Sequence, residues 1–252
     1  MNQYKLLISY DGTGYHGWQF QKNQQHTIAG VLIRTFKKTF GHECSLLGAS
    51  RTDAGVHAYG QVACLRSVFS LDAKLLLDGF NRALPNEILI RDIEKDNEFH
   101  PHVGVVQKKY VYHFFTQTPL PFYHRFGYFI DQKCDLKKLE SALRLFIGTH
   151  DFRSFITIQQ GDGSEEKETT LTIDDISLSF ISQMGAYRIT ILGKSFMRHM
   201  IRRIVGASLE IACRDTLENS VIIKALEEKK LLRPSLFTAP SQGLTLHSIF
   251  YD

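Results

Sequence analysis

The chain has 252 residues, 43% of them hydrophobic and 22% charged, the composition of a soluble globular protein with a sizeable core. A formal net charge of +4 permits a polyanionic partner without demanding one. No apolar run approaches the roughly 20 residues a membrane helix needs, and no signal peptide precedes the first strand, so a cytoplasmic protein is expected.

In chain order, the first strand is expected over Tyr4–Tyr10, followed by a polar loop from Asp11 to about His26. A helix follows with Thr27 as N-cap and Ile28, Val31, Leu32 and Phe36 on one face. Strands are expected at Glu43–Gly48 and Gln61–Val68, a helix at Leu71–Ala83 and a strand at Ile88–Ile93. The link between the two halves falls near His100–Gln107. In the second half, Lys109–Phe115 alternates as a strand does, and Leu136–Phe146 fits a helix. Strands at Leu171–Ile181 and Tyr187–Leu192 come next, then a helix at Phe196–Cys213. A short helix from Val221, with Ser220 as N-cap, and a closing strand at Leu244–Phe250 complete the list. The acidic segment Gly161–Glu168 reads as a solvated loop. The four cysteines, Cys44, Cys64, Cys134 and Cys213, form no Cys-x-x-Cys pair and read as small buried hydrophobes in a reducing compartment.

Gly12-Thr13-Gly14-Tyr15-His16-Gly17 spells G-x-G-x-x-G after an apolar strand. A dinucleotide-binding loop must open directly into a helix and be followed some 20 residues later by an acidic residue. Here Gly17 leads into Trp-Gln-Phe-Gln-Lys-Asn, and no acidic residue occurs between Asp11 and Glu43. No Gly-Lys-Ser/Thr follows either, which excludes a phosphate-binding P-loop. The aromatics and amides of this loop, Tyr15, His16, Trp18, Gln19 and Gln21, suit contacts to RNA.

The second compact cluster is Arg51-Thr52-Asp53-Ala54-Gly55, between two expected strands. Loops at strand ends are where rigid scaffolds present reactive groups. An ionised aspartate in a partly closed pocket can act as a nucleophile or a base. From Arg-x-Asp alone, a turn aspartate beside a surface arginine explains the residues as well.

The segment Arg51-Thr52-Asp53-Ala54-Gly55-Val56-His57-Ala58, with Gly60-Gln61-Val62, resembles the active-site motif of the TruA family of tRNA pseudouridine synthases. Further similarities follow in the family's order. They are Tyr10-Asp11-Gly12 with Gly17-Trp18-Gln19, Asn81 with Leu84-Pro85, Lys109-Tyr110-Val111-Tyr112, Asp151-Phe152-Arg153-Ser154-Phe155, Phe196–Gly206, and Gly243-Leu244 with Leu246.

The resemblance implies an α+β fold of two α/β domains, 1–105 and 106–252. Their mainly antiparallel sheets would join into one continuous sheet around a central RNA-binding cleft. It implies conversion of uridine to pseudouridine in the tRNA anticodon stem-loop, at positions 38, 39 and 40, without cofactor or metal. Asp53 matches the nucleophile, attacking C1′ of the ribose or C6 of the ring. Arg202 matches an arginine placed against that carboxylate. Tyr110 matches the tyrosine that stacks on the target base, Leu244 a residue lining the base pocket, and Arg51 an arginine holding the RNA open. A homodimer is implied as well. Arg188, Lys194, Arg198, Arg202, Arg203, Lys37, Lys38, Lys108 and Lys109 are candidate phosphate contacts.

Two departures stand out. His102 replaces an arginine usual in the family's Phe-His-Ala-Arg, and Glu168 replaces the arginine of an Arg-Thr pair. Two other functions remain to be weighed. One is a tRNA-binding chaperone of the same fold; the other is a glycoside hydrolase, which needs a second carboxylate facing Asp53, with Asp11 the nearest in motif.

Overall fold

The computed structural model describes residues 1–20, 26–158, 168–228 and 237–252. Gln21 and the acidic segment 161–167 therefore lie outside the described residues. The chain divides into two compact units. One comprises Met1–Lys108 with Thr245–Asp252, and the other Lys109–Leu244. Each is an α+β layer with a mainly antiparallel sheet.

The first unit begins with β1 (Asn2–Tyr10). Tyr4, Leu6, Ile8 and Tyr10 are buried while the residues between them are not, the period of two of a strand with one face on a core. Next comes α1 (Ile28–Phe40), where the Thr27 side chain accepts from Gly30 N–H and caps the first turn. β2 (Ser45–Gly48), β3 (His57–Ser67), α2 (Ala73–Ala83) and β4 (Ile88–Lys95) follow. Asp72 caps α2 by accepting from the N–H groups of Lys74 and Leu75. β1 lies between β3 and β4 and is antiparallel to both; β2 is antiparallel to β3. The two helices close the core through Phe36, Phe40 and Phe80, whose ring centroids lie 5.1 to 5.9 Å apart.

The second unit contains most of β5 (Val105–Phe115), then β6 (Tyr128–Phe129), α3 (Leu136–Arg144), β7 (Gly148–Asp151), β8 (Thr170–Ile181) and β9 (Ala186–Gly193). α4 (Met200–Cys213) and α5 (Ser220–Glu228) follow, and β10 (Leu244–Tyr251) carries the chain back into the first unit, where it runs parallel to β3. The strand order within the second unit is β5-β9-β8-β7, with β6 parallel to the end of β5. Phe146, Phe152 and Phe155 fill its core, Phe146 meeting Phe155 edge to face at 4.9 Å.

The helix expected from Phe196 starts at Met200 instead, because His199 adopts a left-handed conformation, φ 62°, and breaks the ladder. β3 starts four residues before the expected Gln61. β6 and β7 were not expected from the sequence pattern.

Candidate active site

Asp53 lies in the connection from β2 to β3, and this loop is fixed along its length. At its start, Ala49 N–H donates to the Val62 carbonyl at 2.8 Å. Ser50 is bracketed by the Gln61 side chain, which receives its N–H at 3.3 Å and donates to its carbonyl at 2.6 Å. The buried Thr52 hydroxyl meets the Tyr10 hydroxyl at 2.7 Å, and its carbonyl accepts from Trp18 N–H at 3.0 Å. Beyond Asp53, Gly55 N–H donates to the Tyr15 carbonyl at 3.1 Å, and Val56 N–H turns back to the Asp53 carbonyl at 3.2 Å. The chain on either side of Asp53 is thus set by backbone bonds, the arrangement a reactive carboxylate requires.

The glycine-rich loop is the cradle for these bonds. Gly17 has φ 84°, and a β-carbon there would stand 2.6 Å from the Thr52 carbonyl oxygen. A β-carbon on Gly12 would collide with the Val56 carbonyl. The Gly17 and Trp18 carbonyls accept the N–H groups of Ile28 and Ala29, which seats the first turn of α1. Tyr15 and Trp18 are buried, so the sequence-based assignment of these two aromatics to RNA is corrected: they pack the loop. His16 and Gln19 remain exposed.

Asp11 serves the same loop. Its Oδ1 accepts from Thr13 N–H at 3.0 Å and from the Thr13 hydroxyl at 2.6 Å. The buried His57 accepts Gly12 N–H at Nδ1, 3.1 Å away, while Asp11 Oδ1 lies 3.2 Å from the same nitrogen. His57 Nδ1 thus faces both the Gly12 N–H and the Asp11 carboxylate, tying the first turn of the loop to the start of β3. Asp11 is therefore a turn-holding carboxylate, bonded within its own loop.

Arg51 is exposed at the mouth of the loop. It belongs to a group of bases with His100, His102 and Lys108. Partial burial, followed by the charges of Lys108, His100 and Arg51, pushes the pKa of His102 below the ordinary histidine value, so this ring does not replace the missing arginine charge. Lys108 is half-buried and its Nζ donates to the Ala49 carbonyl at 2.8 Å.

In the second unit, α4 presents Arg202, whose Nε donates to the Ala239 carbonyl at 2.8 Å while Ala239 N–H returns to the Arg202 carbonyl at 2.9 Å. The Tyr112 hydroxyl donates to the Pro240 carbonyl at 3.0 Å, and burial raises its pKa against a lowering by the Arg202 charge. Leu244, buried, follows Gly243, whose α-carbon faces the Tyr112 ring. Arg202, Tyr112, the 239–240 turn and Leu244 therefore form one neighbourhood. Tyr110 is buried on β5 and meets Phe196 edge to face at 5.3 Å. Arg203 donates from Nη1 to the Ile156 carbonyl at 2.7 Å. Lys194 and Arg198 stay exposed, and Arg188 Nε is buried without a hydrogen-bond partner among the described residues. Glu168 turns onto its own backbone, accepting Thr170 N–H at 3.1 Å. Among the described residues, no group of three or more His, Cys, Asp or Glu is placed to hold a metal ion, and no helix is long and apolar enough to cross a membrane.

Asp53 and Arg51 thus stand in the first unit, and Tyr110, Arg202 and Leu244 in the second. Gln61 and Tyr10 support the Asp53 loop and were missed as site residues, their positions inside the shared motifs being the available signal; Lys108 and Tyr15 also support it, in roles other than those their sequence setting suggested.

Residues 142–252 match the family model described as tRNA pseudouridine synthase. The chain is 35% identical over 253 residues to the tRNA pseudouridine synthase A of Acetivibrio thermocellus, covering 100% of both chains. It is 34% identical over 259 residues to that of Thermodesulfovibrio yellowstonii, covering 98% of both. It is 31% identical over 251 residues to tRNA pseudouridine synthase A 2 of Bacillus cereus, covering 99% of both. With relatives matched from end to end at this identity, the chain belongs to the TruA family of tRNA pseudouridine synthases.

Proposed function

We propose that the protein is a tRNA-uridine isomerase that forms pseudouridine in the anticodon stem-loop, at positions 38, 39 and 40, with Asp53 as nucleophile and without a cofactor. The observation that carries this reading is the setting of Asp53. Residues of the motifs shared with the family, Tyr10, Trp18 and Gln61, supply bonds that fix its loop.

The target uridine is stacked in a stem and must be extruded, at a cost of a few kcal/mol offset by contacts elsewhere. Arg51, exposed beside Asp53 in sequence, is suited to hold the opened strand. Tyr110 stacks on the flipped base, and Leu244 lines its pocket. The Asp53 carboxylate attacks C1′ of the ribose or C6 of the ring. The C1′–N1 bond breaks, the uracil turns, and a C1′–C5 bond forms. The C5 proton then leaves, N1 ends protonated, and the aspartate is released, so atoms and charge balance. Arg202 orients the carboxylate. A cytoplasmic homodimer is part of the proposal, and sedimentation of the purified protein with and without tRNA tests the dimer.

The decisive experiment is tritium release from a tRNA transcript labelled at uridine C5, with wild type and Asp53→Ala compared. Release by wild type alone supports the proposal. Release by both removes Asp53 as nucleophile, and tRNA binding without release by either favours a chaperone.

A further inference from the structure

Lys108 reads from sequence as one of a pair of basic residues suited to phosphate. Its surroundings argue otherwise. The ammonium is drawn inward to the Ala49 carbonyl at 2.8 Å, at the root of the loop that carries Asp53. Burial lowers its pKa, the mark of a cation withdrawn from solvent. The exposed cation of this group is Arg51.

The other restraints on the loop leave the Ala49 carbonyl for Lys108. Val62 and Gln61 hold Ala49 N–H and Ser50 from β3, Tyr10 at the end of β1 holds Thr52, and Tyr15 and Trp18 of the glycine-rich loop hold Gly55 and Thr52. A charge-assisted bond from a residue inside a regular strand restrains this corner more firmly than a neutral one would. We propose that Lys108 is a positioning residue for catalysis: by holding the Ala49 carbonyl it fixes the path of Ser50 to Asp53 and so the placement of the reactive carboxylate. This rests on Asp53 being the nucleophile.

The test compares wild type, Lys108→Met and Lys108→Arg in full-length protein. Two readouts are used: kcat, KM and salt-dependent Kd for a tRNA transcript, and acrylamide quenching of Trp18 fluorescence. Trp18 is the single tryptophan, buried, and bonded to Thr52, so it reports the loop without any turnover. The expected result for Lys108→Met is a kcat lower by about tenfold to a hundredfold, the scale of a small misplacement. KM and Kd should stay within about twofold, Trp18 should be quenched more readily, and Lys108→Arg should recover most of kcat. Weaker tRNA binding and a shallower salt dependence with kcat unchanged would make Lys108 a phosphate contact and overturn the proposal. If wild type modifies no tRNA, the reading of Asp53 fails, yet unchanged Trp18 quenching in Lys108→Met still overturns the tether. Should Lys108→Met not fold, Lys108→Gln takes its place, and the same results support or overturn the tether.

Discussion

Gly12 approaches Val56 so closely that any β-carbon on it would run into the Val56 carbonyl oxygen. Gly14, two residues on, has open space where its β-carbon would be. The two glycines of a G-x-G pattern thus have unequal roles, set by the loop that carries Asp53. Gly12→Ala is expected to push residues 52–56 away from their anchors, lowering stability by about 1–3 kcal/mol and turnover by at least about tenfold. Gly14→Ala should fold and turn over like wild type. In a dinucleotide loop the second glycine is the one that admits the pyrophosphate, so a severe Gly14→Ala phenotype would contradict these unequal roles. Thermal melts and tritium release on both variants decide.

Gly206 plays the corresponding part in the second unit. It lies on the buried face of α4, and a β-carbon there would collide with the Phe237 carbonyl. The displaced segment includes Ala239, the partner of Arg202. Gly206→Ala is therefore expected to cost about 1–3 kcal/mol in stability and to lower kcat beyond what the fraction of folded protein explains. A kcat that follows the folded fraction alone would separate Gly206 from Arg202.

Much of this arrangement was legible in the sequence, for identifiable reasons. The alternation of Tyr4, Leu6, Ile8 and Tyr10 and the Thr27 cap are local patterns, and both elements form where those patterns put them. The true start of β3 was hidden because Gly60 reads as a break. In the fold it is a close approach, its missing β-carbon making room for the His247 carbonyl. β7, with the sequence Gly-Thr-His-Asp, has no strand periodicity and exists through its pairing with β8. Trp18 and Tyr15 invited an RNA role because aromatics beside glycines suggest stacking, and only burial shows that they face inward. Lys108 carries no sign in sequence that its partner is a carbonyl 59 residues away.

His102 offers a test by charge. Its pKa is lowered, so the neutral ring predominates at neutral pH and the proton is taken up only below the ordinary value near 6.5. A histidine with a depressed folded pKa contributes stability that is present above the unfolded value and falls as pH drops through the folded one. A proton NMR titration should place the His102 midpoint below 6.5. His102→Arg should raise tRNA affinity at low salt and steepen the log K against log salt slope by about 0.7–0.9, one phosphate's worth. An unchanged slope would place this turn outside the RNA footprint.

The cysteines give a prediction independent of RNA. Burial raises the Cys44 thiol to about 12, with Glu43 adding to it, and burial raises Cys134 to about 12, with Cys213 adding to it. The thiolate is the species that reacts with iodoacetamide. From an ordinary value near 9, a rise to about 12 cuts the thiolate fraction about a thousandfold at pH 8. Native protein at pH 8 should therefore alkylate slowly at Cys44 and Cys134, and urea-unfolded protein rapidly at all four cysteines. The sign for stability follows from the same shifts. A raised folded pKa favours the native state below about 9, and that contribution is lost as pH climbs toward about 12. Mass-spectrometric labelling against time reads each site separately. Equal rates in native and unfolded protein would mean that these thiols face water.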